Sequence, residues 1–207
     1  MTAAQLSRYK AGHAPLNAFE PVWDKLKDTN TAINEDEALC IMSLTAQYHW
    51  SPPVILEIGT GHGTSAILMN MGGGHVLTVD QDVSKIDAAR RLAKDMGAKN
   101  ITFIHGKSPD AVGKLQDETR RKINMAFIDG DHSYDAVKAD LREAIQVVPL
   151  GGWIMGHDYW RDETNGHPGF EVKRAVDEMA ATTQISNPIT FKERQDNNNL
   201  YLCSVRV

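Results

Sequence analysis

The sequence predicts an α/β fold: a doubly wound, mostly parallel sheet that ends in a C-terminal antiparallel hairpin. From residue 54 onward, short apolar runs alternate with segments of helical periodicity. These strand-like runs are apolar almost throughout, which is typical of parallel strands buried on both faces. The last two strand-like runs are joined by the turn-rich stretch QDNNN, so they are expected to form a hairpin.

The individual elements follow from the spacing of apolar residues. In the segment 82–96, the apolar residues Ile86, Ala89, Ala93 and Met96 recur at intervals of three and four, and Gly97 is expected to end that helix. Further helices are predicted at 134–148 and 170–181. Strands are predicted at 54–58, 75–80, 101–105, 123–129 and 152–156, followed by the hairpin strands 189–193 and 200–207.

Residues 1–50 are predicted to be an N-terminal helical extension that serves as a lid or a packing segment. Its clearest helix covers 35–48, where Ala38, Ile41, Leu44 and Tyr48 share one face. Residues 51–207 are predicted to form the sheet domain. Nothing in the extension suggests a second independent domain.

Composition excludes several functional classes. Among 207 residues, 42% are hydrophobic and 24% charged, which is ordinary for a globular protein, and a net charge of −5 gives no footprint for nucleic acid or an anionic membrane. Only Cys40 and Cys203 are present, which argues against a disulfide framework or a cysteine-based zinc site. With no signal-like or membrane-spanning stretch, a cytoplasmic location is expected. A hairpin edge is compatible with a homodimer.

A glycine-rich loop follows the first predicted strand, in the stretch EIGTGHGTS from Glu57 to Ser65. Glycines at the carboxyl end of a strand allow positive φ angles and a close approach of the backbone to a ligand. A dinucleotide fingerprint would place its third glycine at Thr64. The third glycine here is Gly63, so a nicotinamide oxidoreductase is disfavoured.

Two acidic residues make the loop more informative. Glu57 lies inside an apolar strand, where an unpaired carboxylate would be costly. Asp80 ends the second strand about 20 residues after the glycines, where a carboxylate can accept both hydroxyls of an adenosine ribose. Asp80 could instead cap the next helix, although Asp82 is better placed for that. The stretch from Gly106 to Asp110 is suited to lining an adenine pocket.

On these residues the chain resembles the class I S-adenosylmethionine-dependent methyltransferases, which have a Rossmann-like sheet. The matching features are ExGxGxG at 57–63, the acid at Asp80 and a fourth-strand motif at Asp129, and the resemblance runs from residue 54 to the C-terminus. It implies that S-adenosyl-L-methionine is the cofactor, with Glu57 and Ser65 at its methionine end, Asp80 on the ribose and Ser108 near the adenine. The full set of implied cofactor-binding residues is Glu57, Gly59, Thr60, Gly61, Gly63, Ser65, Asp80, Gln81, Ser108 and Asp129.

The ends of strands four and five carry the remaining polar residues. Asp129 ends strand four, and His157 and Asp158 follow strand five. Neighbouring parallel strands lie about 4.8 Å apart, so these side chains can converge if the two strands are adjacent. A divalent cation would relieve the repulsion between the two carboxylates. The pattern therefore predicts a metal site formed by Asp129, His157 and Asp158.

This constellation resembles the metal-dependent O-methyltransferases of the catechol and macrolide-sugar types. The sequence Asp129-Gly-Asp-His132 matches their Asp-x-x-His turn, and Asp158 matches the second acid after strand five. The resemblance implies that Asp129 and Asp158 ligate Mg²⁺ and that His132 accepts the proton of the substrate hydroxyl. His157 stands where those families have an acid, so it could be a ligand, an outer-sphere group or part of the loop, and imidazole suits Mn²⁺ or Fe²⁺ better than Mg²⁺.

The neighbouring residues have simpler alternatives. His132 could instead belong to a helix start capped by Ser133, but its spacing from Asp129 favours the catalytic role. Asp131 and Asp135 are expected to be first-turn acids stabilised by the helix dipole. Tyr159 and Trp160 should overhang the substrate side as substrate contacts, although a solvated loop is the alternative.

The sequence thus predicts an S-adenosylmethionine-dependent, divalent-metal-assisted O-methyltransferase that acts on a hydroxyl of a small molecule such as a sugar, a phenol or a natural-product scaffold. A metal-dependent tailoring enzyme of the same fold (hydroxylase-like) and a non-catalytic cofactor-binding protein are the alternatives. The expected partner is a small-molecule substrate, with no nucleic acid and no membrane.

Overall fold

The computed structural model describes residues 19–29, 31–48, 52–159, 169–191 and 199–206. A seven-stranded sheet lies at its centre, in the order β3-β2-β1-β4-β5-β7-β6. The first five strands are parallel, and β7 runs antiparallel to both β5 and β6. The strands are β1 (Val54–Ile58), β2 (His75–Asp80), β3 (Ile101–His105), β4 (Met125–Ile128), β5 (Trp153–Gly156), β6 (Ile189–Thr190) and β7 (Tyr201–Ser204). The predicted fold class, a mostly parallel sheet with an antiparallel C-terminal pair, is confirmed.

The later strands are shorter than predicted. Strand β4 lacks the predicted ends at 123–124 and 129, although the backbone N–H groups of Asn124 and Asp129 still donate to Val54 and Ile58 of β1. Gly152 precedes β5 instead of opening it, because its N–H turns back to the carbonyl of Pro149. The hairpin strands contract to β6 and β7, and residues 192–198 and 207 lie outside the described residues.

The helices begin and end where the chain offers suitable caps. Asp82, not Asp80, caps α4, since its carboxylate accepts the N–H of Ser84 at 2.8 Å. Asn34 and Glu37 form a capping box at the start of α2. The helices in the described residues are α1 (Phe19–Leu26), α2 (Glu35–Ala46), α3 (Thr64–Met71), α4 (Val83–Asp95), α5 (Asp110–Gly113), α6 (Asp117–Arg120), α7 (Tyr134–Val147) and α8 (Gly169–Ala181).

Two buried clusters cover the two faces of the sheet. Successive residues of each strand point to opposite faces, so Ile55 and Phe127 join one cluster while Leu56 and Ala126 join the other. The first cluster contains residues of α1, α2 and α3, and the second contains residues of α5, α7 and α8. Because both faces of the sheet are buried, consecutive residues of these strands are apolar in the sequence.

The N-terminal helices share the first of these clusters. Ile41 and Met42 of α2 are fully buried in it. Beyond the end of α2, the hydroxyl of Tyr48 donates to the carbonyl of Asn124, next to β4, and its ring packs edge-on against Trp153. The helices before residue 50 therefore pack against the sheet, while the division of the chain at residues 50 and 51 stays a prediction. In the part of the chain that is described, no helix combines the length and apolar character needed to traverse a bilayer.

Candidate functional site

The glycine loop connects β1 to α3 and is shaped by positive φ angles. Gly59 has φ +96°, and a Cβ atom placed on it would lie 2.0 Å from the carbonyl oxygen of Asp129. Gly63, at φ +89°, precedes α3, and a Cβ atom placed on it would lie 2.8 Å from Cβ of Ala89 on α4. No described atom lies within 4 Å of a Cβ placed on Gly61. The absence of a side chain at Gly59 and Gly63 thus allows the loop to pack closely against its neighbours, while Gly61 faces open space.

A polar network lies beneath this loop. Glu57 is fully buried, and Ser65 Oγ donates to its Oε1 at 2.5 Å. Thr78 on β2 lies opposite Glu57 in the sheet, and its hydroxyl shares a 2.6 Å hydrogen bond with the hydroxyl of Thr60. Glu57 Oε2 has no hydrogen-bond partner among the described residues. Burial raises the pKa of Glu57 to about 8, against the opposing effect of Ser65, so this carboxyl is mostly protonated at neutral pH.

A cleft of about 280 Å³ lies along the carboxyl ends of β1, β2 and β4. Six of the ten predicted cofactor-binding residues line it: Gly59, Gly61, Asp80, Gln81, Ser108 and Asp129. The other four, Glu57, Thr60, Gly63 and Ser65, do not line the cleft. Three polar lining residues were not predicted as cofactor contacts: Lys85, Asp131 and Asp140. The stretch 106–110, expected to line an adenine pocket, contributes Gly106, Lys107 and Ser108 to the lining.

Asp80 is held at the wall of this cleft by two backbone groups. Its Oδ2 accepts the N–H of Gly61 at 3.1 Å, and its Oδ1 accepts the N–H of Asp82 at 2.9 Å. Asp82 caps α4, so the alternative interpretation of Asp80 as the cap of that helix is wrong. The carboxylate is oriented by the glycine loop and remains part of the cleft lining.

Asp140 is the polar residue that sequence reasoning missed most clearly. It is only 3% exposed, on α7, and Ser108 Oγ donates to its Oδ1 at 2.6 Å. Burial raises the pKa of Asp140 to about 6, and Ser108 opposes that shift. A signal was available, because Asp140 interrupts the apolar stripe of α7 between Val137 and Leu141. A single acid on the buried face of a helix indicates a polar partner.

Asp129, His132 and Asp158 come together at the ends of β4 and β5, which are neighbours in the sheet. One ligand atom from each of the three lies within 4.8 Å of the others. His132 Nε2 is 3.0 Å from Asp158 Oδ2 and 3.6 Å from Asp129 Oδ1. Hydrogen bonding to Asp129 raises the pKa of His132, and partial burial opposes it. Asp158 has φ +58°, a strained value for a residue other than glycine.

His157 lies deeper than this trio. It is 5% exposed, and its Nδ1 lies 3.3 Å from Asp158 Oδ2 and 3.7 Å from Asp129 Oδ1. Its Nε2 lies 3.2 Å from Glu37 Oε2, without the alignment of a full hydrogen bond. Burial lowers the pKa of His157, but Asp158 and Glu37 outweigh this effect and raise it well above the ordinary value. Its role as a metal ligand stays a prediction.

The predicted substrate contacts and first-turn acids have varied outcomes. Tyr159 is buried against Tyr201, and its hydroxyl donates to Asp177 of α8 at 2.5 Å, so its role in substrate binding stays a prediction without a contact that supports it. Trp160 lies outside the described residues. Asp131 accepts the N–H of Ser133 at 2.8 Å, as expected for an acid at a helix start, and this bond lowers its pKa.

Comparison with known proteins now identifies the family. A sequence profile described as a methyltransferase domain matches residues 56–159, just over half of the chain. The chain belongs to this methyltransferase family. The matched segment contains the whole glycine loop and all residues that line the cleft, together with the cluster of Asp129, His132 and Asp158.

Solved structures of O-methyltransferases have a similar fold and align with nearly the full length of the chain. The O-methyltransferase from Bacillus cereus in complex with SAH is 19% identical with a TM-score of 0.70, covering 99% of this chain and 98% of that one. The O-methyltransferase TomG from Streptomyces achromogenes, involved in tomaymycin synthesis and solved in complex with SAM, is 16% identical with a TM-score of 0.71, covering 99% and 96%. The methyltransferase therefore shares the fold of these O-methyltransferases.

Among curated proteins, a ribosomal protein L11 methyltransferase from Clostridium perfringens is 26% identical over 109 residues. That alignment covers 45% of this chain and 34% of the relative. The chain thus matches about a third of the length of this relative. The substrate of the L11 enzyme is therefore not assigned to this chain.

Proposed function

We propose that this methyltransferase transfers the methyl group of S-adenosylmethionine to a hydroxyl oxygen of a small molecule with the help of a divalent cation. The observation that carries the proposal is the convergence of Asp129, His132 and Asp158 within 4.8 Å at the edge of the cofactor cleft. Asp129 also lines that cleft, so the cluster lies next to the space proposed for the cofactor. A sugar, a phenol or a natural-product scaffold would each present a suitable hydroxyl.

The residues of this cluster fit a divalent cation. Two carboxylates at this separation repel each other unless positive charge lies between them. In the structure, the imidazoles of His132 and His157 each lie within about 4 Å of both carboxylates. Carboxylate oxygens suit Mg²⁺ and Mn²⁺, and an imidazole nitrogen in the donor set shifts the preference towards Mn²⁺ or Fe²⁺. Asp129 and Asp158 would hold the cation, which when bound lowers the pKa of a coordinated hydroxyl.

His132 supplies the general base in this proposal. Its Nε2 is directed towards the two carboxylates and lies 3.0 Å from Asp158. In the transfer, the acceptor oxygen forms a bond to the methyl carbon while the carbon–sulfur bond breaks. The electron pair of that bond goes to sulfur, which leaves S-adenosylhomocysteine, and the hydroxyl proton goes to Nε2. Alignment of oxygen, carbon and sulfur provides the rest of the rate enhancement.

The test is methyl transfer from labelled cofactor to a panel of hydroxylated small molecules. The protein is treated with EDTA and assayed with Mg²⁺, Mn²⁺, Fe²⁺ or no added cation. We expect an O-methylated product only with a cation, and S-adenosylhomocysteine binding that survives EDTA. Asp158→Asn should abolish the cation response, while Asp135→Asn, an exposed acid in the first turn of α7, should retain it. Equal transfer with and without a cation would refute the metal-assisted mechanism.

A further inference from the structure

We infer that Glu37 is a positioning residue of the candidate catalytic site, acting through His157 from outside the segment that matches the methyltransferase family. The inference rests on the proposed function, since it concerns the carboxylate pair that would hold the cation. Glu37 belongs to α2, in the predicted N-terminal extension, and no sequence motif connects it with Asp129 or Asp158.

Glu37 is more buried than a helix cap requires. Its N–H donates to Asn34 Oδ1 and its Oε2 accepts the N–H of Asn34, both at 3.0 Å, which completes the capping box. An exposed glutamate in a first turn forms that box equally well. Glu37 is instead 1% exposed, and its Oε1 accepts the N–H of Asn199 at 2.9 Å. Burial of a carboxylate is costly unless polar groups surround it. The burial of Glu37 therefore indicates a role beyond capping α2, and its contact other than Asn34 and Asn199 indicates what that role is.

That contact is with His157. Glu37 Oε2 lies 3.2 Å from Nε2 of the imidazole, while Nδ1 on the other side of the ring faces Asp158 and Asp129. The backbone N–H of His157 donates to the carbonyl of Ile128 at the end of β4. The ring is therefore held between Glu37 on one side and the carboxylate pair on the other.

A carboxylate beside one imidazole nitrogen determines which way the ring faces and keeps a proton on that nitrogen. With Nε2 facing Glu37 at 3.2 Å, Nδ1 is directed at the site. There it can contact a bound cation or hold the carboxylates at their observed separation. Outer carboxylate–histidine pairs of this kind tune metal affinity in other proteins by about 10-fold to 100-fold. Through His157, Glu37 thereby links α2 and Asn199 to the carboxylates of Asp129 and Asp158 at the ends of β4 and β5.

The competing explanation is that Glu37 only caps α2. The two explanations are separated by comparing Glu37→Gln, which puts an amide beside His157, with Asn34→Ala, which removes the other half of the capping box and leaves the His157 contact. The first readout is the exchange protection of the His157 Nε2–H in ¹⁵N-histidine NMR spectra without added metal. The second is the Kd for Mn²⁺ by calorimetry with S-adenosylhomocysteine present.

We expect Glu37→Gln to lose the protected Nε2–H and to weaken Mn²⁺ binding about 10-fold or more. Asn34→Ala should keep both properties while lowering the melting temperature. Equal effects of the two variants, or a protected Nε2–H that survives Glu37→Gln, would overturn the inference. Should Glu37→Gln not fold, Glu37→Asp shortens the side chain without removing its charge and should give the same loss. If the wild-type protein binds no Mn²⁺, the proposed function fails, whereas the NMR readout still decides whether Glu37 orients His157.

Discussion

The backbone of Gly59 presses against the backbone of Asp129, so that a Cβ atom on Gly59 would lie 2.0 Å from the Asp129 carbonyl oxygen. The two residues follow the neighbouring strands β1 and β4, and the N–H of Asp129 donates to the carbonyl of Ile58 at 2.8 Å. The glycine loop and the proposed cation ligand are thus fixed to each other by main-chain contact. A change in one backbone must displace the other.

Gly59→Ala should therefore be strongly destabilising. The new methyl group would clash with backbone that cannot move aside, and φ +96° is unfavourable for alanine, so we expect a loss of about 3 kcal/mol or more in the free energy of unfolding. Gly61→Ala is the control, because it meets no described atom and at φ +50° should cost only about 1 kcal/mol. Urea unfolding monitored by circular dichroism measures both. Similar losses for the two variants would contradict the clash.

The buried carboxyl of Glu57 should make stability depend on pH. Its pKa of about 8 in the folded protein exceeds the ordinary value of 4.5, so the folded state retains a proton that the unfolded chain loses. Its contribution to the free energy of unfolding therefore falls between pH 4.5 and 8 and is constant outside that range. Glu57→Gln lacks this titration. The stability of Glu57→Gln minus that of the wild type should rise by up to about 1.4 kcal/mol per pH unit across that window. A difference that is flat with pH would be inconsistent with a protonated Glu57.

Replacement of His132 should separate catalysis from binding. His132→Ala removes the proposed proton acceptor, and we expect kcat to fall by about 10²-fold to 10⁴-fold with an unchanged Kd for S-adenosylhomocysteine. The control is His75→Ala, an exposed histidine at the opposite end of the sheet. Turnover measured with labelled cofactor and binding measured by calorimetry give the two quantities. Unchanged turnover in His132→Ala would exclude it as the base.

Asp80 should contribute to cofactor affinity. The carboxylate lies at the wall of the cleft, and a hydrogen bond from a ribose hydroxyl to a charged group contributes about 1.5–3 kcal/mol. Asp80→Asn should therefore weaken S-adenosylhomocysteine binding roughly 10-fold to 100-fold. Asp87→Asn, on the exposed face of α4, should leave the affinity unaltered. Equal affinities for wild type and Asp80→Asn would remove Asp80 from the cofactor site.

Local patterns predicted much of this architecture. The positions of β1, β2 and β3 follow from apolar runs, and the glycine loop follows from residues a few positions apart. The meeting of Asp129 with Asp158 needed one further assumption, that strands four and five are adjacent, and the structure confirms that adjacency. Each of these inferences depends on information within one or two neighbouring elements.

The contacts that were missed join elements that are distant along the chain. Glu37 on α2 contacts His157, which follows β5, and Ser108 donates a hydrogen bond to Asp140 on α7. Glu37 was expected only to be part of a helix, and Ser108 was expected to lie near the adenine, so neither sequence neighbourhood indicates His157 or Asp140 as a partner. The identity of a buried polar partner depends on tertiary packing, which residue spacing does not encode.

The position of β7 between β5 and β6 has a consequence for synthesis of the protein. Among the described residues, one side of β5 pairs only with Tyr201–Ser204. This apolar strand therefore has an open edge until the 44 residues between Gly156 and Tyr201, and then β7 itself, have been synthesised. An unpaired apolar edge is the surface through which nascent chains aggregate. Variants that weaken the last strand should therefore lower the soluble yield more than they lower the stability of molecules that have already folded.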